Sequence, residues 1–352
     1  NPAQLFTSNF FYTAGFTRAC TVKDSILYLT QSYAGICIVD ATDPSRPVKL
    51  AGLELPRRFG PGRGRASKGV FLQGDLLFDV TTYGIEIADV SDKANPTWVG
   101  YLPFEGRDDL DLGGAFVIDS TYGYILQVDS TLVIYDLTDV ASIVKLGSLK
   151  LNYRRLSDML VHNNIAYLGY SPDTSSVVVD VSDKANPQII RELPIAIRNF
   201  ALKDTMLFVN NSSGLIILSI AKPDSPVVLQ TINLIGLGQM IAIDNLLFIV
   251  DYDGIIALDI TNVLNPTLLG ELPKDNYLVH LSGESDRLYV ANGSNGVSFY
   301  RIDYITDVTI GDPISHEFHL GQNFPNPFNS STTIPYSLSH SGHVQLRIYD
   351  AL

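Results

Sequence analysis

The eight residues DVSDKANP run from Asp89 to Pro96 and again, letter for letter, from Asp180 to Pro187. Two identical stretches far apart report a unit that the chain builds more than once. Each follows a short apolar run, GIEIADVSDKANP in one case and SVVVDVSDKANP in the other. Looser versions end at Pro47, Pro226 and Pro266, and TLVIYDLTDVASI and GVSFYRIDYITDV keep only parts of the pattern. The equivalent anchors are Asp40, Asp89, Asp136, Asp180, Ser219, Asp259 and Arg301, spaced by 49, 47, 44, 39, 40 and 42 residues.

A second short element precedes every anchor: ILYLTQS, LLFDVTT, YGYILQV, IAYLGYS, MLFVNNS, LLFIVDY and RLYVANG. These runs are β-branched and aromatic and show no helical period. A further run lies upstream of each, and after most anchors another follows the proline, as in TWVGYLP or QIIRELP. That makes four short strands per unit, seven units and no helix. Apolar residues occupy both strand faces, as in sheets buried between flanking sheets. The pattern predicts an all-β chain folded as a seven-bladed β-propeller of four-stranded blades over residues 1–305. The repeated octapeptide then joins the third strand of a blade to its outermost strand. Its aspartate bonds the turn backbone, and its proline gives up a donor near the sheet edge, where the loss is tolerated.

The opening residues NPAQLF match NPTWVG and NPTLLG, which begin outer strands. The last unit, after Arg301, lacks an outer strand of its own. Residues 3–11 are therefore expected to complete it and to close the ring, which removes two open sheet edges. The two cysteines, Cys20 and Cys37, fall on strands with a third between them. That separation of roughly 10 Å is beyond disulfide reach, so both should be buried free thiols.

The LYV strand, the GLxVID-like strand and the xSDPxNP turn together resemble the LVIVD-repeat family of β-propellers over residues 1 to about 303. Blades three, five and seven depart from the pattern. The resemblance implies an exported or surface protein and brings no shared catalytic residue.

After a polar connector at 306–315, the composition changes. The segment from His316 to Leu352 has a turn-rich centre, NFPNPFN, followed by alternating runs that read as half-buried strands, the start of a small β-sandwich. It closely resembles the C-terminal sorting domain of type IX secretion cargo. The residues that carry the resemblance are Leu320, Gln322, Asn323, Pro325, Asn326, Pro327, Phe328, Asn329, Ser331, Thr332, Ile334 and Tyr336. Phe324 stands where that pattern has Tyr, and Ser330 where it has a second Pro. The resemblance implies passage through the outer membrane, by way of that secretion machinery, to the cell surface or medium. The sorting domain of that family continues for several more strands, so an incomplete copy is expected here.

The formal net charge of −13 argues against a general nucleic-acid binder, and no run of 18 apolar residues spans a membrane. The six histidines show no metal spacing, and neither a phosphate-cradling loop nor a nucleophile elbow occurs. DYDG at Asp251 and DDLDLGG at Asp108 lack the full ligand series of a calcium loop, so calcium there would be incidental and no cofactor is expected. One distribution does stand out. The links that lead into the innermost strands, with the adjoining strand starts, hold Arg18, Arg57, Arg58, Arg63, Arg65, Lys68, Arg107, Arg154, Arg155, Arg198 and Lys274, eleven of the 24 basic residues. Arg18, Lys68 and Arg198 align at one inner-strand position, with Arg155 two residues away. Arg18, Arg65, Lys68, Arg155 and Arg198 thus either lie over exposed loops and pair with surrounding carboxylates, or mark a basic face that would meet another protein or an acidic glycan. The expected function is a non-catalytic surface interaction or scaffold module. The alternatives are a lectin-like propeller that binds a glycan or anionic ligand and, less favoured, a hydrolase or lyase.

Overall fold

The computed structural model describes residues 4–32, 34–56, 67–104, 115–127, 129–152, 156–170, 175–234, 238–251, 254–273, 280–303, 319–320, 324–329, 331–333 and 336–337. The chain divides into two compact units, Pro2–Tyr304 and Ile305–Leu352 with Asn1. The larger unit is a seven-bladed β-propeller. Blade 1 is the antiparallel sheet Thr17–Lys23, Ile26–Gln31, Gly35–Asp40 and Val48–Leu53. Blades 2 to 6 repeat that order over residues 67–103, 115–150, 156–193, 199–232 and 240–273. Blade 7 takes three strands from residues 280–303, and its outer strand is Gln4–Phe11, paired antiparallel with Val297–Asp303. The N-terminal strand therefore closes the ring, as its NPAQLF pattern predicts. The smaller unit contains two strand pairs: His319–Leu320 with Tyr336–Ser337, and Phe324–Asn329 with Ser331–Thr333.

The propeller has seven apolar clusters, one in each seam between neighbouring blades, rather than one shared core. The third residue of each second strand drives a ring into the following blade. These residues are Tyr28, Phe78, Tyr124, Tyr167, Phe208, Phe248 and Tyr289, each at most 2% exposed. Tyr28 packs with Leu77 and Ala88 of blade 2, and Tyr289 packs with Cys20 and Leu29 of blade 1. Aromatic rings suit this place because each buries a large area with few rotatable bonds. Cys20 and Cys37 are both buried free thiols in the blade 7/1 seam, on strands separated by Ile26–Gln31.

The octapeptide turns hold these wedges. Asp89 Oδ1 accepts the Ser91 N–H at 2.8 Å, and Asp180 Oδ1 accepts the Ser182 N–H at 2.8 Å. Asp92 and Asp183 repeat the arrangement three residues on, toward the Ala94 and Ala185 N–H groups. The Ser91 N–H and then its hydroxyl hold Asp89 below the usual carboxylate range. For Asp180 the Ser182 hydroxyl acts first and its N–H second. The lysine of the motif reaches back to the preceding blade. Lys93 bonds the Tyr28 hydroxyl, and Lys184 lies 4.8 Å from the ring centre of Tyr122. Where the wedge is Phe78 or Phe208, the turn carries Val140 or Val263 instead, packed on the same apolar cluster. At the blade 4/5 seam the Tyr167 hydroxyl donates to the Pro223 carbonyl at 2.8 Å. The turn also presses against the preceding outer strand, where a Cβ on Gly147 would stand 2.3 Å from the Lys184 carbonyl oxygen.

The rim carries exposed apolar side chains, among them Val48, Val144, Ile190, Val227 and Leu268. In blades 1 to 6 a bulge interrupts the outer strand at the same point of its ladder. Bulges of this kind twist an edge away from flat pairing with another chain.

Replacing Phe78 with Tyr should bury a hydroxyl against Val140 and cost about 1–3 kcal/mol. Adding Val140→Lys should recover part of that loss by recreating the Tyr28–Lys93 arrangement. Thermal melts of the single and double variants check this, and a strictly additive pair would contradict it.

Candidate functional site

The innermost strands line the propeller axis, and their starts form the mouth toward which the inter-blade links run. The inner strands of blades 1, 2 and 4 are bulged there, between Thr17 and Ala19, Ser67 and Gly69, and Leu156 and Asp158. The extra residue in the first two bulges is Arg18 and Lys68. A bulge re-aims a side chain out of the ladder, so two of the cationic residues singled out by sequence occupy places where the backbone departs from regular pairing.

Arg18 is half-buried. Its Nε donates to Ser32 Oγ at 3.1 Å, and its guanidinium carbon lies 4.5 Å from the Phe16 ring centre. Lys68 is exposed, and both it and the half-buried Arg198 engage further groups. The Arg198 backbone N–H donates to the Asn210 carbonyl at 2.9 Å, just ahead of the inner strand of blade 5. Arg65 and Arg155 lie outside the described residues, as do Arg57, Arg58, Arg63, Arg107, Arg154 and Lys274. Of the sorting motif, Pro325, Asn326, Pro327, Phe328 and Asn329 fall in the strand Phe324–Asn329, while Gln322 and Asn323 lie outside the described residues.

One residue past the Arg18 position, the structure has a feature that sequence reading missed. The equivalent residues there are Ala19, Gly69, Ala115, Asp158, Asn199, Gln239 and His280, small in blades 1 to 3 and polar in blades 4 to 7. Three of the polar ones clasp the next blade. Asp158 accepts the Phe200 N–H at 3.3 Å, besides that of Met159 at 2.8 Å. Gln239 Oε1 accepts the Leu281 N–H at 2.7 Å, and its Nε2 donates to the Leu281 carbonyl at 3.4 Å. His280 Nδ1 lies 4.0 Å from Cys20 Sγ. Phe200, Leu281 and Cys20 occupy the same position in blades 5, 7 and 1. Aligning the units on their LY or LF pair would have revealed this ring.

Burial pushes Asp158 up to about 7, against the opposing pull of the Met159 and Phe200 N–H groups. Burial also pushes His280 down to about 4 and the Cys20 thiol up to about 12. At neutral pH both are uncharged, which suits packing rather than nucleophilic attack. At the opposite end of the inner strands, Glu284 of blade 7 accepts the Asp24 and Ser25 N–H groups of blade 1 at 3.0 Å each. Lys23 reaches the Gly74 carbonyl in the same way at 3.1 Å. On that side an open cleft of about 810 Å³ is lined by Leu202, Lys203, Asp204, Ala242, Asp244 and Asn245. Among the described residues no three His, Cys, Asp or Glu side chains gather to hold a metal ion.

No family model and no curated protein sequence matches the chain. Solved structures do match its fold. A chain of a mitotic checkpoint complex crystal structure aligns with TM-score 0.67 at 11% identity, over 85% of this chain and 93% of that one. The computationally designed protein Ika8 aligns with TM-score 0.58 at 12% identity, over 83% and 98%. BamB from Moraxella catarrhalis aligns with TM-score 0.55 at 12% identity, over 81% and 84%. At these identities the likeness is one of fold.

Asp158→Asn should make stability less dependent on pH. A carboxyl whose pKa folding raises to about 7 from an ordinary value of about 3.9 favours the folded state most below pH 4. That contribution is lost as pH rises through 7. The variant should therefore gain on the parent chain between pH 4 and pH 8, by roughly 1–3 kcal/mol. Denaturant melts at the two pH values measure the gap, and parallel curves would place the charge of Asp158 elsewhere.

Proposed function

We propose that this chain is an exported, non-catalytic interaction module of LVIVD-repeat type. On this reading the mouth and its inter-blade links meet an acidic partner protein, no cofactor is involved, and the segment from His316 onward directs the chain through a type IX secretion system. The observation that carries the interaction reading is the disposition of reactive groups. The half-buried Asp158, Gln239 and His280 are engaged across blade seams, whereas Arg18 at the mouth meets no carboxylate among the described residues. A propeller offers a broad face for docking, and Arg18, Lys68 and Arg198 at the starts of inner strands, with Arg65 and Arg155 close to such starts in sequence, support a face of distinct sign in a chain of net charge −13. The export reading rests on the NFPNPFN segment.

Two experiments test the proposal. In a bacterium that carries type IX secretion, the full chain should reach the cell surface or medium, and deletion of residues 316–352 should retain it inside the outer membrane. Equal export of both forms would overturn the address. A photo-crosslinker at Tyr12, 77% exposed in the link between blades 7 and 1, should capture another protein on intact cells. The same group at Arg46, in a turn on the opposite face, should not. Capture from Arg46 alone would move the interaction to the other face.

A further inference from the structure

The junction of the first and last blades holds hydrogen-bond donors that meet no acceptor among the described residues. Thr17 starts the inner strand of blade 1. It pairs with Gln31 in its own blade and bridges to Gly293 of blade 7, with its N–H donating to the Gly293 carbonyl at 2.9 Å. Leu27 and Leu29 fill the seam between these blades. Gln31, two residues further along, shares their face by strand alternation and stands beyond the apolar filling, at the mouth end. It is 4% exposed, and its Nε2 has no hydrogen-bond partner. The link above it comes close, since a Cβ on Gly15 would approach the Gln31 Cβ to 3.3 Å. A buried amide left without a partner carries a penalty that a bound acceptor would relieve.

Arg18 is bulged out of the adjoining inner strand, directly after Thr17, the residue that pairs with Gln31. The guanidinium is fixed in two ways, by the Ser32 hydroxyl on Nε and by the Phe16 ring on its face. Phe16 is itself positioned by blade 7, where Gly293 has φ +58° and a Cβ would stand 2.6 Å from the Phe16 ring. With Nε engaged, the remaining donors of Arg18 are the paired Nη groups at its tip, and none meets an acceptor among the described residues. Those donors and the Gln31 Nε2 group make a set of donors beside the single charge of Arg18, complete only when the ring is closed.

We infer that Arg18 and Gln31 form a carboxylate-binding site at the blade 7/1 junction, which receives an Asp or Glu side chain of the partner protein. Two parallel N–H groups match the two oxygens of a carboxylate. A single uncommitted cation balances a monoanion and leaves a doubly charged phosphate or sulfate half compensated. That the carboxylate comes from a protein rests on the proposed interaction role. The site itself rests on the geometry of Arg18, Gln31 and Phe16.

The test uses the full chain and a fluorescein-labelled oligoglutamate peptide, read by anisotropy. The native chain should bind the peptide, and more weakly as salt rises. Arg18→Gln should weaken binding by about tenfold or more, as expected when one partner of a desolvated charge pair is removed. Arg18→Lys should fall in between, keeping the charge but losing the fork. Gln31→Leu should also weaken binding, and Arg46→Gln should leave it unchanged. Unchanged melting temperatures in the variants confirm that the ring persists. Should Arg18→Lys and Arg18→Gln both destabilise the fold, a rise in the melting temperature of the native chain with added peptide, absent for Gln31→Leu, decides the matter. Equal losses in Arg18→Gln and Arg46→Gln, or no peptide binding by the native chain, would overturn the site. Binding of oligogalacturonate in place of oligoglutamate would overturn the protein as its source. If the protein captured through Tyr12 binds Arg18→Gln as tightly as the native chain, the site falls and the interaction role stands. If peptide binding follows Arg18 while Tyr12 captures no protein, the interaction role falls and the site stands.

Discussion

A four-stranded sheet that is apolar on both faces cannot exist alone in water, and the rest of this structure follows from that. Each blade buries both faces only by standing between two others, so the units have to close into a ring. The aromatic in the second strand makes the seam between them. Tyr28, Tyr124, Tyr167 and Tyr289 end in hydroxyls and Phe78, Phe208 and Phe248 do not, and the facing turn differs accordingly. Lysine or a carbonyl meets some of the tyrosine tips, and valine accompanies Phe78 and Phe208. The two octapeptides share their turn but use its lysine differently, since Lys93 bonds the hydroxyl of the wedge Tyr28 whereas Lys184 lies over the ring of Tyr122 beside the wedge Tyr124.

Much of this was legible in the sequence because the signals are local. Short strands, Asp and Pro at fixed offsets and the NPAQLF match are read within a dozen residues, and they predict seven blades and the closing strand. The clasps of Asp158, Gln239 and His280 were not legible in that way. Each joins residues more than 40 apart in sequence, and only the register of seven inner strands shows that they share one position. Arg18 could be singled out because a charge within an apolar pattern is conspicuous. Gln31 could not, because an amide at the end of a strand reads as an ordinary terminus until the structure buries it.

The inner ring also shows how the chain handles polarity near the axis. Small residues stand at this position in blades 1 to 3, whereas blades 4, 6 and 7 use a polar group to reach the next strand. Of these groups, Asp158 titrates closest to neutrality, since desolvation outweighs the two N–H groups that favour its charged form. The neighbouring blade places the neutral amide Asn199 at the equivalent point, so the position tolerates a group that never ionises.

Closure by Gln4–Phe11 has a consequence for the order of assembly. This strand is synthesised before every blade, yet its pairing partner, Val297–Asp303, is synthesised after six blades are complete. Until then it waits as an unpaired edge while the ring grows beside it. Joining such distant segments is slow, because a long loop must be closed before any contact rewards it. For as long as it waits, the same strand is available to the open last blade of another copy, so dilution, as well as sequence, decides whether each ring is closed by its own end.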